Sequence, residues 1–186
     1  ETSPFAPVED KGRIRKGLHK SRAAHSAVSA SVVAGDLLGR SAEPWSSVVR
    51  MCITEPISKG RRAVVPARTD VAHGITVIAD HAAAMIRSAQ LLEDAPSATH
   101  RLFIAPAADP ALGEIAEFTS NSLGQKPKRP VSVPRWVTRA AGVAERSFFE
   151  LNRLAPIWYS PCVISPGKLA AEVGTTDWRE GVRQML

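Results

Sequence analysis

Apolar and polar positions along this chain switch between a helical and an extended rhythm. Residues 11–26 place Ile14, Leu18 and Ala24 or His25 at helical spacing, which predicts a helix with those side chains available for burial. Residues 27–34 (AVSASVVA) are small and β-branched and predict a short strand closed by Gly35. Residues 37–45 read as a loop, and residues 45–53 as a helix ended by Pro56. Residues 63–66 and 74–79 (GITVIA) predict two more short strands. A helix capped by Asp80 then runs through Leu92, with Met85, Ile86, Ala89 and Leu92 on one face.

The second half is more sharply punctuated. Residues 101–105 (RLFIA) predict a strand. Asp109 and Pro110 supply a cap and first-turn proline for a helix that Gly124 closes, with Leu112, Ile115, Ala116 and Leu123 facing inward. Residues 130–133 (PVSV) are extended. A helix starting after Pro134 runs toward Leu154 with a break near Gly142. Two short helices, 168–173 and 178–185, flank Gly174-Thr175-Thr176. Strands that alternate with helices predict an α/β protein. No internal repeat is visible.

At 186 residues the chain has room for one domain and a small appendage. Its composition is 44% hydrophobic and 23% charged, as in ordinary globular proteins, and no apolar run is long enough to span a bilayer. The charge is less ordinary. The net charge is +6, and residues 11–22 (KGRIRKGLHKSR) hold six basic side chains and no acid, while the rest of the chain balances. On a helix Lys11, Arg15 and Arg22 share one stripe, and Arg13, Lys16 and Lys20 point elsewhere. Charge on all sides, with no interleaved aromatics, argues against a nucleic-acid groove and for a solvated helix. Residues 1–10 predict an extended, acidic lead-in. They lack a signal peptide's pattern and look like the middle of a longer protein. Cys52 and Cys162 are far apart without C-x-x-C, which argues against zinc and fits two reduced thiols in a cytoplasmic protein.

Several catalytic motifs are absent. The glycines form no G-x-G-x-x-G and no G-x-x-x-x-G-K, and there is no G-x-S-x-G or H-E-x-x-H. Candidate site residues come instead from position. Asp36 follows a strand end, where open α/β sheets hold their ligands. His73 precedes a strand and Asp80 follows it, although helix capping alone would account for Asp80. Trp136, Phe148, Phe149, Trp158 and Tyr159 gather in the last third, where packing is their simplest role and lining a substrate pocket the alternative.

Taken in order, these segments resemble the C-terminal half of an atypical extended short-chain dehydrogenase/reductase, of the NAD-dependent epimerase/dehydratase family. ETSPFAPVEDKGRIRKG looks like the stretch entering that family's active-site helix. SVVAGDLLG looks like its next strand, with Arg40 where a proline usually follows. HGITVIADHAAAMIRS is similar to the strand and helix in which a histidine and an aspartate recur. LGEIAEFTSNSLGQKP and KLAAEVGTTDWREGVRQML resemble the substrate-subdomain helix and the closing helices. The resemblance implies a partial Rossmann-like parallel sheet with its N-terminal strands missing, and a small C-terminal α/β substrate subdomain. Residues 1–100 would belong to the Rossmann-like part, interleaved with the subdomain, and 101–186 mainly to the subdomain.

The resemblance also implies a function and a departure from it. The family's Tyr-x-x-x-Lys falls on Lys11-Gly12-Arg13-Ile14-Arg15, so Lys11 stands at the tyrosine position and Arg15 at the lysine position. In the family the tyrosine exchanges a proton with the substrate, and the lysine lowers its pKa and holds the nicotinamide ribose. Arginine stays protonated and can bind or orient but cannot serve as a base. Tyr159 is followed four places on by Val163, so it does not rebuild the motif. The expectation is an NAD(P)-dependent oxidoreductase or epimerase/dehydratase-like protein with an altered site. NAD or NADP would bind in the intact protein but not tightly to this chain alone, since the Gly-rich loop is absent. Asp36 would lie toward the cofactor, and His73 and Asp80 would line the substrate pocket. The substrate would be a hydroxyl or carbonyl compound such as a nucleotide sugar, and family members often pair through helices. The alternative is a nucleotide-binding or regulatory module without turnover.

Overall fold

A computed structural model describes residues 6–7, 9–144 and 146–186. The lead-in at residues 1–5 and 8 therefore lies outside the described residues. Helix α1 (Asp10–Ala23) leads into β1 (Ser29–Val33) and β2 (Asp36–Leu38). A π-helical turn, Arg50–Thr54, runs into α2 (Glu55–Ser58). Then come β3 (Val64–Val65), β4 (Ile75–Val77), α3 (Ile78–Gln90), β5 (His100–Ile104), α4 (Leu112–Ser122) and β6 (Val131–Ser132). Helices α5 (Arg135–Ala144), α6 (Arg146–Arg153), α7 (Ala155–Trp158), α8 (Lys168–Val173) and α9 (Trp178–Arg183) close the order.

The strands form three parallel pairs. β1 lies beside β5 with Ser29 opposite His100, β2 beside β4 with Asp36 opposite Ile75, and β3 beside β6 with Val64 opposite Val131. Parallel partners need long crossovers, and helices supply them, so the architecture is α/β. Two of the pairs join residues before position 100 to residues from position 100 onward. β1 and β2 are two pieces of one extended run that changes partner at Gly35. There the Gly35 N–H donates to Thr76 Oγ1 at 3.0 Å and the Asp36 N–H to the Gly74 carbonyl at 3.0 Å. A Cβ on Gly35 would stand 2.2 Å from that carbonyl oxygen, so only glycine allows the two backbones to approach.

Two cores result. The larger surrounds β2–β4 and includes Leu38, Val49, Ile53, Val65, Ile115 and Val182. The smaller, against β1–β5, holds Ala84, Phe103, Ala105 and Leu169. Among the described residues no helix is long and apolar enough to cross a membrane.

Several local expectations are corrected. Residues 36–38 are a strand, because the run past Gly35 finds a second partner. The helix at 45–53 starts later, at Val48, and continues through Pro56 to Ser58. Proline lacks an N–H and its ring crowds the carbonyl four residues back. The π turn, in which the Glu55 N–H bonds the Arg50 carbonyl, widens the backbone just before it. Asp80 is the third residue of α3 rather than its cap. Asp109 does not cap α4 either. Its carboxylate accepts from the Ile164 N–H at 2.9 Å, and the Glu114 carboxylate takes the Ala111 N–H at 2.7 Å instead.

Burial differs too. Ile14 is 71% exposed and α1 buries nothing. Along α3, which ends at Gln90, the inner line is Asp80, Ala84 and Ser88, continued by Leu92 just past its end, and it leaves Met85 and Ile86 54% and 63% exposed. In α4, Leu112, Ile115 and Ala116 are buried as expected. Leu123 is exposed, and Thr119 and Ser120 face inward because their hydroxyls donate to the carbonyls of Ile115 and Ala116. Trp136 and Phe149 are exposed, whereas Tyr159 donates to the Val133 carbonyl at 2.7 Å. The Phe148 side chain lies outside the described residues.

Candidate functional site

The site is a cleft of about 570 Å³ where α1, the β1–β2 junction and the chain before β4 converge. α1 supplies Lys11 and Arg15, one turn apart, so both point into the cleft. Arg22, on the same stripe, donates to Ser31 Oγ at 3.0 Å. Polar contacts hold this helix in place. Arg153 reaches Asp10 at 2.5 Å and Glu9 at 3.6 Å near its start, and the rings of His19 and His100 meet nitrogen to nitrogen at 3.2 Å near its end. A helix with no buried residue is thus positioned by its charges, which also explains why Ile14 and Leu18 stay outside.

Asp36 lines the cleft but its oxygens are engaged. They accept from Ser47 Oγ at 3.2 Å and from the N–H groups of Val48 and Val49 at 3.3 and 3.0 Å. The carboxylate thereby caps the first turn after Ser47. Burial pushes its pKa up, and the bonds from Val49, Val48 and Ser47 oppose that rise.

His73 is buried in the cleft wall, with its ring 5.5 Å from the Trp158 ring. Its Nε2 stands 3.0 Å from the Arg68 carbonyl, and its Nδ1 has no partner. A carbonyl only accepts, so Nε2 carries the hydrogen. His73 is held on both sides by backbone: its N–H donates to the Pro110 carbonyl, and the neighbouring Gly74 N–H donates to the Cys162 carbonyl at 2.7 Å.

Asp80 lies apart. Its carboxylate accepts from Thr176 Oγ1 at 2.6 Å and from the Thr176 N–H at 2.8 Å, and so ties the turn between α8 and α9 to α3. Four of the five candidates therefore share one cleft, and the fifth anchors a turn.

No protein-family model and no curated protein matches this chain.

The sequence reading missed Trp45, Ser47 and Cys162, which line the cleft together with Trp158. Trp45, alone in the polar run AEPWSS, was a visible signal. Cys162 gave none, since only its extended pairing beside His73 brings it there. Burial, and then the charge of Asp109, push the Cys162 thiol up. Cys52 sits in the larger core, where burial and then Asp36 raise it to about 11. Both thiols stay protonated near neutrality and are poor nucleophiles. Among the described residues no group of three or more metal-type ligands gathers. Lys11 and Arg15 can hold an anion, and the apolar faces of Trp45, Ile157 and Trp158 can cover a flat or aliphatic group.

Proposed function

We propose that this chain carries the substrate side and part of the cofactor side of an atypical short-chain dehydrogenase/reductase-like protein. Its cleft would receive the nicotinamide-ribose end of NAD or NADP, or the substrate beside it. The observation that carries this reading is the meeting of Lys11, Arg15, Asp36 and His73 in one cleft. Lys11 and Arg15 are nominated by the resemblance and Asp36 by its place past a strand end, and with His73 they come from three separate segments, whereas Asp80, nominated with His73, lies elsewhere. The three parallel pairs and the bare second edge of β1 among the described residues are consistent with a larger Rossmann-like sheet.

The residues fit one end of such a cofactor. Two cations suit its phosphate or ribose oxygens, and two tryptophans suit a ring. No glycine-rich turn is present for the pyrophosphate. When bound, the nicotinamide supplies hydride transfer. Arg15 would bind and orient. Lys11 replaces a neutral phenol with a cation, so it would stabilise negative charge on a ligand oxygen. That substitution favours a second reading, a nucleotide-binding module without turnover.

Saturation-transfer NMR with NADH, NADPH and nicotinamide mononucleotide tests the proposal. Transfer to nicotinamide-ribose protons is expected, with loss in a Lys11→Ala/Arg15→Ala double variant. No transfer, or transfer that the double variant leaves unchanged, would overturn it.

A further inference from the structure

Three buried side-chain atoms lack a partner among the described residues: Thr54 Oγ1, His81 Nδ1 and His73 Nδ1. Only His73 lines the cleft. The residue is 3% exposed. Buried polar atoms are nearly always bonded, so an orphan in a cavity wall needs an explanation. The Nε2 bond to the Arg68 carbonyl accounts for one nitrogen and sets the tautomer. In the neutral ring it leaves Nδ1 as a bare lone pair, able to accept and unable to donate.

The rest of the cleft has the opposite character. Lys11 and Arg15 have no ion pair among the described residues. Asp36, the one acid among the described lining residues, is engaged by Ser47, Val48 and Val49. The cleft therefore offers two unpaired cations and one fixed acceptor. A simple anion satisfies the cations and leaves Nδ1 empty. A molecule with both an anionic group and a hydroxyl satisfies all three.

We propose that the cleft binds a hydroxylated phosphate ester, with its phosphate on Lys11 and Arg15 and a hydroxyl donating to His73 Nδ1. His73 is thus a binding residue for that hydroxyl. The proposal rests on this cleft being the ligand site of the reading above, but not on that ligand being a nicotinamide cofactor.

Calorimetry at about pH 8, above the ordinary histidine range, tests it with ribose 5-phosphate and inorganic phosphate as probes. Ribose 5-phosphate is expected to bind more tightly than phosphate. His73→Gln keeps a donor for the Arg68 carbonyl but has no acceptor at Nδ1. It should weaken ribose 5-phosphate by about tenfold, the cost of one good hydrogen bond, and leave phosphate unchanged. His73→Asn places Oδ1 near the Nδ1 position and should keep most of the binding while lowering the melting temperature. Lys11→Ala/Arg15→Ala should weaken both probes together. Should a His73 variant fail to fold, the wild-type Nδ1 ¹⁵N resonance decides. It should move upfield with ribose 5-phosphate and not with phosphate.

Equal affinity for the two probes, a silent His73→Gln, or a His73→Asn as damaging as His73→Gln would each overturn the proposal. In that case Nδ1 holds only water. Loss of the NADH signal with His73-dependent ribose 5-phosphate binding intact would sink the cofactor reading alone. The reverse pattern would sink this one alone.

Discussion

The two packed regions start from the same ingredients and end differently. Around β2–β4, helices close on the strands from several sides, and Leu38, Ile53, Ile115 and Val182 are fully covered. Around β1–β5, α3 and α8 supply Ala84 and Leu169 to the core, and α1 reaches the strands through Arg22 on Ser31 and His19 on His100. The second edge of β1 has no strand beside it among the described residues, Met85 lines an open groove, and Ile86 is exposed. Each region has parallel strands and an amphipathic helix. They differ in how many layers meet, which decides how much apolar surface leaves water. The candidate cleft lies at the seam between a well-closed half and a thin one.

Gly35, at the seam, offers the strongest way to break that contrast. Gly35→Ala puts a methyl 2.2 Å from the Gly74 oxygen and 2.8 Å from the Ile75 nitrogen, where only backbone could yield. A loss of about 3 kcal/mol or more is expected by urea denaturation. A near-neutral Gly35→Ala would mean that the two backbones do not approach so closely.

Ile115→Ala in the larger core should cost about 2–5 kcal/mol, since the site is fully buried. Hydrogen exchange under native conditions should show β1–β5 amides opening before β2–β4 amides. Equal protection would erase the distinction between the regions. Asp80→Ala, which strands the Thr176 N–H, should cost about 1–3 kcal/mol by thermal denaturation.

The pH dependence should also be uneven. His81 on α3 and His100 on β5 both belong to the thin half. Burial lowers both, and for His100 the charges of His19 and Arg22 add to it. The unfolded chain then binds more protons than the folded one as pH falls through about 6.5. The thin half should lose protection as pH drops through that window. An exchange profile flat from pH 7 to 5 would contradict this. The smallest effect belongs to Met85→Lys, within about 0.5 kcal/mol by denaturation, because the side chain is already half in water.

Much of the local structure was legible because its causes are local. Gly124, with φ +66°, ends α4 as its place in the sequence predicts, and Gly174, with φ +81°, separates α8 from α9. The stripe of Lys11, Arg15 and Arg22 follows from helical periodicity and does face the body of the protein. Ile14, Leu18, Met85 and Ile86 were misread because periodicity reports a side chain's face and not what lies opposite it. Asp109 was misread because a tertiary partner, the Ile164 N–H, outbid the cap position. Within the site, Lys11, Arg15, Asp36 and His73 could be nominated from the sequence, whereas Cys162 and the isolation of Asp80 could not.

The sequence by itself determined where most of the helices and strands form, where glycines let the chain turn, and which helix would carry the charge. Those outcomes depend on backbone sterics and on side chains a turn or two apart. Only the tertiary structure decided that β1 pairs with β5 and β2 with β4, and hence that Lys11 and Arg15 share a cleft with His73. Pairing between distant strands depends on the whole packed arrangement, and no short window of residues contains it.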